Sequence, residues 1–371
     1  AQHLYRKRRI SDGPQQPGMI IDDRELVCFC SNDYLGLANH TEVKAAFIKG
    51  IERYGAGSGA AHLINGHSRA HHALEEELAA FTGYPRALLF STGYMANLGL
   101  AQALAGKGDT VFEDRLNHAS LLDGGLLSGA RLMRYPHNNA EELDAKLATR
   151  TRGEKLVLSD GVFSMDGDIA DVPALVSSCD RHDAVFMLDD AHGFGVLGKN
   201  GRGTLEHLGV PTESIAVYMA TLGKAVGVSG AFIAGSDELI ETLIQHARTY
   251  IYTTASPPAA AEAVRASLNI ISSQPELRQQ LDDNIRYFRN CCYEMDVKIT
   301  ESQTAIQPVM IGDAQTTVSI SEQLLAKGLL ITAIRPPTVP EGTARLRITL
   351  SAAHTHAQID KLVSALDVVR P

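Results

Sequence analysis

The sequence predicts an α/β protein: a mostly parallel, seven-stranded sheet covered by helices, followed by a smaller α+β domain. Three observations predict it. Short apolar runs alternate with amphipathic stretches of helical spacing from about Arg86 to Ala234, and parallel neighbours are the strands that need such crossover connections. Beyond Asp237 this alternation gives way to two long helical patterns and few strands. The length of 371 residues exceeds what one small core usually holds, so two domains are expected. The division expected is an N-terminal arm at 1–40, a large α/β domain at 41–272 and a small α+β domain at 273–371.

Arg86–Ser91 opens the sheet as a buried strand, and a Gly/Ala-rich helix runs from about Tyr94 to Leu104. Thr110–Glu113 is the second strand, with helical spacing resuming after His118. Arg131–Tyr135, Lys155–Ser159, Ala184–Leu188, Ile215–Met219 and Ala231–Ala234 are the other five, with helices at Ala140–Thr149 and Val172–Arg181 among them. Helices at Pro257–Ile271 and Glu276–Tyr293 then precede an apolar run at Ala305–Ile311 and a helix near Ser319–Lys327. The run Leu329–Ile334, a strand at Ala344–Leu350 and a helix at His356–Val369 complete the chain.

Composition narrows the function classes. Hydrophobic residues make up 44% and charged residues 21%, which suits a globular chain and excludes wholesale disorder. Lys and Arg total 34 against 43 Asp and Glu, a net charge of −9, so no global positive field gathers nucleic acid. The sequence holds no apolar run of about eighteen residues, the length a membrane span needs. Its first twenty residues are basic and contain Gly and Pro, unlike a signal peptide. The five cysteines, Cys28, Cys30, Cys179, Cys291 and Cys292, are irregularly spaced and odd in number, which points to packing roles in a reducing compartment; the expected location is the cytoplasm.

The chemistry starts at Thr221-Leu-Gly-Lys224-Ala-Val-Gly-Val-Ser-Gly230, where a lysine follows a strand among small residues. Glycines allow close backbone approach by a ligand, and a partly desolvated lysine can form a Schiff base. Alone, the segment also reads as a surface lysine in a glycine-rich turn. A second segment, Phe186-Met-Leu-Asp189-Asp190-Ala-His192-Gly193, is a buried strand ending in carboxylates and a histidine, at the sheet edge where open α/β folds place ligands. Either carboxylate alone reads equally well as a helix or turn cap. Together with Lys224, 35 positions later, they suit pyridoxal phosphate (PLP), which needs a lysine for its aldehyde and an aspartate beside its ring nitrogen. Ser91-Thr-Gly93-Tyr94 joins the first strand to the first helix, where orphan N–H groups and the helix dipole make a phosphate seat.

These segments occur in order with Cys30-Ser-Asn32-Asp-Tyr-Leu-Gly-Leu37, Asn117-His118-Ala-Ser-Leu121, Asp160-Gly-Val-Phe-Ser164-Met-Asp-Gly-Asp168 and Ala333-Ile-Arg335-Pro-Pro-Thr338-Val-Pro340. From about Tyr5 to its C-terminus the chain resembles the α-oxoamine synthases, fold-type I PLP-dependent transferases. The resemblance implies condensation of an amino acid with an acyl thioester and loss of carbon dioxide, the substrates being L-alanine and pimeloyl-CoA or pimeloyl-ACP in biotin biosynthesis. It implies that Lys224 carries the cofactor and moves the Cα proton, that Asp189 pairs with the ring nitrogen, that His192 meets the ring hydroxyl and that His118 stacks on the ring. Gly93 and Tyr94 would line the site beside the phosphate, and Ser164 and Thr221 would offer hydroxyls. Thr253 or Thr254 would reach the phosphate across a homodimer interface. Arg347 would clamp the substrate carboxylate, although Arg345 shares its strand face, and Arg6, Asn32 and Thr338 would lie near the acyl substrate. Members usually carry a further helix before the arm, so a chain beginning at Ala1 is expected to be truncated.

Rival readings compete with this one. A ligase of the same family would use glycine and acetyl-CoA, and a silent binding protein could share the fold. His62, His67, His71 and His72 include pairs at helical spacing, but with Glu75–Glu77 directly following, a solvated helix start is the expectation and no metal is assigned.

Overall fold

The computed structural model describes Tyr5 and residues 8–369. They group into two compact units: Thr41–Phe163 with Ile169–Ser273, and the described residues up to His40 with Ser164–Asp168 and those from Gln274 onward. Among the described residues no helix is long and apolar enough to cross a membrane.

The larger unit is built on seven strands: β1 (Arg86–Phe90), β2 (Thr110–Asp114), β3 (Arg131–Tyr135), β4 (Lys155–Asp160), β5 (Val185–Asp189), β6 (Val217–Thr221) and β7 (Ala231–Gly235). They lie in the order β1-β7-β6-β5-β4-β2-β3, and each stands within a residue or two of its expected place. The pairs from β6 across to β3 are parallel. Only β7 runs against its neighbours, because the segment 222–230 is too short for a crossover and returns the chain as a hairpin. Leu88, Phe90, Leu156, Leu158, Met187, Val217, Met219 and Ile233 share one core cluster with Ala96, Leu100, Leu121 and Leu243 from the helices on that face. The alternate residues Leu89, Val157, Phe186, Leu188, Tyr218 and Phe232 are equally buried. A sheet covered on both faces needs such apolar runs, and that is why the strands were visible in the sequence. Helices Thr41–Tyr54 and Pro258–Ser273 pack closely at Gly50, where a Cβ would stand 2.6 Å from Ala259 Cα.

The smaller unit holds two sheets. Ile306–Gly312, Ala344–Thr349 and Thr332–Ile334 form an antiparallel set with Ala344–Thr349 central. In the other, a hairpin of Gly18–Ile21 and Arg24–Cys28 pairs in parallel with Leu329–Leu330. The apolar run 329–334 therefore serves two sheets rather than one. Asp22 and Asp23 both take positive φ, 49° and 60°, as a two-residue hairpin turn requires. The helix expected near Ser319 begins earlier, at Ala314, because Asp313 caps it by accepting from Thr316 N at 2.7 Å.

Candidate active site

The carboxyl ends of β4, β5 and β6 set Asp160, Asp189 and Thr221 along one edge of the large sheet, Asp160 in register with Asp189. Strand parity then sorts the side chains. Met187 packs with Ala96 and Leu100 of helix Gly93–Leu104, so Asp189, two residues on, emerges on the same face. There Asn97 Nδ2 donates to Asp189 Oδ2 at 2.7 Å and the Ala191 amide to Oδ1 at 3.0 Å, leaving the carboxylate 3% exposed. Asp190 points the opposite way. It accepts from Thr204 N at 2.7 Å, Thr204 Oγ1 at 2.5 Å and Tyr218 OH at 2.8 Å, and burial pushes its carboxyl up to about 7. Asp189 thus holds the turn at Ala191, and Asp190 the start of helix Thr204–Leu208.

Lys224 sits half-buried in the hairpin loop, whose turn is closed by Leu222 N donating to Gly230 O at 2.9 Å and Gly227 N to Lys224 O at 2.9 Å. Its Nζ lies 3.0 Å from His192 Nε2, and His192 is buried. His118 opens helix Ala119–Leu127. Its amide donates to Asp160 Oδ2 at 2.7 Å, and its Nδ1 lies 2.8 Å from Ser120 Oγ, which accepts from Asn97 Nδ2 at 2.8 Å. One hydrogen-bonded chain therefore runs Asp160–His118–Ser120–Asn97–Asp189. Burial lowers the His118 imidazole below its usual value, opposed by the Asp189 charge. Burial and the facing Asp189 charge raise Asp160 well above the carboxylate range.

Gly93 starts its helix behind the Thr92 cap, whose Oγ1 accepts from Met95 N at 3.1 Å. A Cβ on Gly93 would stand 2.6 Å from Thr221 Cγ2, so only glycine lets this helix end approach the end of β6. Thr221 Oγ1 is buried without a hydrogen-bond partner among the described residues. Tyr94 is partly exposed and its OH donates to Asp123. An amine beside an imidazole, a buried carboxylate, a helix N-terminus opened by glycine and an unsatisfied hydroxyl are the donor set that PLP requires; the residues fit the cofactor. Thr253 is half-buried and Thr254 exposed, beyond the short helix Arg248–Ile251.

Other expected site residues belong to the smaller unit. Arg347 is 7% exposed; its Nε donates to Ser164 O at 2.6 Å, and both terminal nitrogens lie 3.3 Å from Asn32 Oδ1. Arg345, on the same strand, is ion-paired with Asp166. The structure thereby separates two arginines that strand parity could not: Arg345 is neutralised, whereas the hydrogen bonds of Arg347 go to neutral oxygens. Ser164 enters this arrangement through its carbonyl. Thr338 is exposed in the loop after Arg335, and Arg6 lies outside the described residues.

Ser120 and Asp160 lie inside the motifs around His118 and Ser164, and Asn97 three residues after Tyr94, yet none of the three was expected in the site. The spacing Gly93 to Asn97, one helical turn, was the available signal. One expectation is corrected in part: His62 and His71 are buried, at 7% and 0% exposed, whereas His72 in the first turn of helix Arg69–Thr82 is exposed. Their burial comes from Tyr250, stacked on His62 at 5.2 Å, and from Ser256, whose carbonyl lies 2.8 Å from His71 Nε2.

The family model for aminotransferase class I and II matches residues 24–366. The 8-amino-7-oxononanoate synthase of Thioalkalivibrio sulfidiphilus is 60% identical over 99% of this chain and 94% of its own. Among solved structures, SPT with PLP internal aldimine superposes with a TM-score of 0.93 at 33% identity, covering 98% of this chain and 92% of that one. The 8-amino-7-oxononanoate synthase of Francisella tularensis gives 0.81 at 32% identity, covering 92% and 97%. With its lysine, aspartate and histidine set on this sheet edge, the chain belongs to the class I and II aminotransferase family, among the 8-amino-7-oxononanoate synthases.

Proposed function

We propose that this PLP-dependent acyltransferase condenses L-alanine with a pimeloyl thioester, carried on CoA or acyl carrier protein, to give 8-amino-7-oxononanoate, carbon dioxide and free thiol. The observation that carries the reading is Lys224 Nζ held 3.0 Å from His192 Nε2, in the unit where Asn97 and Ala191 fix the buried Asp189. PLP supplies an electron sink for the negative charge that develops at the amino-acid Cα and, after acylation, at the carbon that loses carbon dioxide. Lys224 would hold the cofactor through Nζ and, once the alanine amino group has displaced it, would take up and return the Cα proton at that atom. Asp189 keeps a proton on the ring nitrogen, its two oxygens held in place by their amide donors. His192 orients the ring hydroxyl and His118 covers the ring face. Gly93 and Tyr94 line the phosphate end, with hydroxyls from Thr221 and Ser164. Arg347, its charge not matched by a carboxylate hydrogen bond among the described residues, receives the alanine carboxylate through a bidentate fork, and Arg6, Asn32 and Thr338 serve the acyl substrate. The enzyme works as a cytoplasmic homodimer in which Thr253 or Thr254 completes the partner's phosphate site.

Thiol release from purified holoenzyme tests the substrate pair. Alanine with pimeloyl-CoA or pimeloyl-ACP is expected to give kcat/KM at least tenfold above glycine with acetyl-CoA. The reverse ratio would assign the chain to the glycine ligase reaction, and no release with any amino acid and thioester would leave only a binding role.

A further inference from the structure

We propose that His62, His67 and His71 form a binding site for a divalent transition-metal cation, with Zn2+ as the reference ion. Each of the three rings offers a nitrogen within 4.8 Å of the others. His62 Nδ1 and His67 Nδ1 lie 3.1 Å apart, close to the edge of about 3.3 Å that a tetrahedron with Zn–N bonds of ~2.0–2.1 Å requires. The tautomer of His71 is fixed by its partners: its Nε2 faces the Ser256 carbonyl at 2.8 Å, and its Nδ1 accepts from Ser68 N at 3.1 Å, with Ser68 Oγ at 3.0 Å, in the cap of helix Arg69–Thr82. The proton therefore sits on Nε2 and the lone pair on Nδ1. A backbone carbonyl behind the far nitrogen is the usual support of a metal-bound histidine. His67 faces the Glu75 carboxylate, with Oε2 3.8 Å from its Nε2, an ion-pair distance rather than a hydrogen bond. The Tyr250 ring, stacked on His62, fixes the third imidazole. Burial holds all three imidazoles below the usual histidine range.

In the metal-free chain one Nδ1 of the His62–His67 pair must carry a proton for the two nitrogens to approach so closely. On binding, that proton moves to Nε2 and both Nδ1 lone pairs face the cation. The Ser68 amide gives up its bond to His71 Nδ1, and water fills the fourth position. His72, exposed and 3.5 Å from Glu76, takes no part.

Equilibrium dialysis of the holoenzyme against ZnCl2, with metal counted per chain, tests this. One Zn2+ per chain is expected above the level of a His62→Gln/His67→Gln variant, with affinity reduced at least tenfold in His67→Gln alone and unchanged in His72→Gln. Co2+ should give the intense visible bands of a four-coordinate site, and these should vanish in His67→Gln, whose partly exposed side chain makes loss of fold an unsuitable explanation when its melting temperature matches wild type. Equal uptake by wild type and the double variant, or loss in His72→Gln, would overturn the proposal.

Discussion

Arg345 and Arg347 stand two residues apart on one strand, both buried, yet their partners assign them different work. Arg345 faces Asp166, whose side chain is 29% exposed, and removing the guanidinium leaves a partly desolvated carboxylate unpaired. Arg345→Gln should therefore destabilise the fold by about 2 kcal/mol, below the range for a fully buried pair because water still reaches the acid. Arg347 hydrogen-bonds to the Ser164 carbonyl and Asn32 amide oxygen, and neutral acceptors do not balance a buried positive charge. Arg347→Lys keeps that charge but loses the fork; KM for alanine should rise at least tenfold with little change in melting temperature. Steady-state kinetics and thermal melts on both variants check the division, which fails if the two raise KM alike.

At the scale of the element, the first residue of helix Gly93–Leu104 comes so close to the end of strand β6 that a methyl group does not fit between them. The Cβ of Gly93→Ala would lie 2.6 Å from Thr221 Cγ2, inside any real carbon contact, and overpacking of this kind costs about 1–3 kcal/mol. The helix would tilt away from the sheet edge, carrying Asn97 off Asp189, so the variant should lose cofactor affinity as well as stability. Thr221→Ser removes the opposing methyl and retains the hydroxyl. The double variant Gly93→Ala/Thr221→Ser should recover most of the lost melting temperature and cofactor absorbance. If it recovers neither, the contact does not limit the approach. Gly50 offers no such relief, because its Cβ would strike the Ala259 backbone rather than a side chain that can be trimmed.

Across the whole molecule, legibility in the sequence followed the range of the forces involved. The seven strands were visible because a sheet covered on both faces demands unbroken apolar runs, and Lys224, Asp189 and Gly93 stood at strand ends where α/β sheets gather ligands. The hairpin at 18–28 was not visible, since Asp22-Asp23 replaces the Asn-Gly that usually marks such a turn. The burial of His71 depends on Ser256, 185 residues later, which no local pattern carries. The same long-range burial shapes the response to pH. In the smaller unit His354, stacked on Phe29 at 4.3 Å and 3.0 Å from the Cys28 carbonyl through Nε2, is lowered by burial to about 4. The unfolded chain binds this proton near 6.5, so between those values acid favours unfolding, by about 2 kcal/mol at pH 5 relative to pH 7. Asp33 has the opposite sense: burial raises it to about 6 from 3.8, so the folded chain binds its proton first and loses about 1 kcal/mol as pH rises from 5 to 7. The two contributions oppose each other over that interval. Asp33→Asn, which retains the oxygen that accepts from Leu37 N, should make the change in stability from pH 7 to 5 less favourable than in wild type by about 1 kcal/mol. His354→Gln should make the same change more favourable than in wild type by about 2 kcal/mol, whatever its absolute loss. Denaturant titrations of wild type and both variants at pH 7 and 5 decide the matter, and parallel pH slopes in the two variants would refute the opposition.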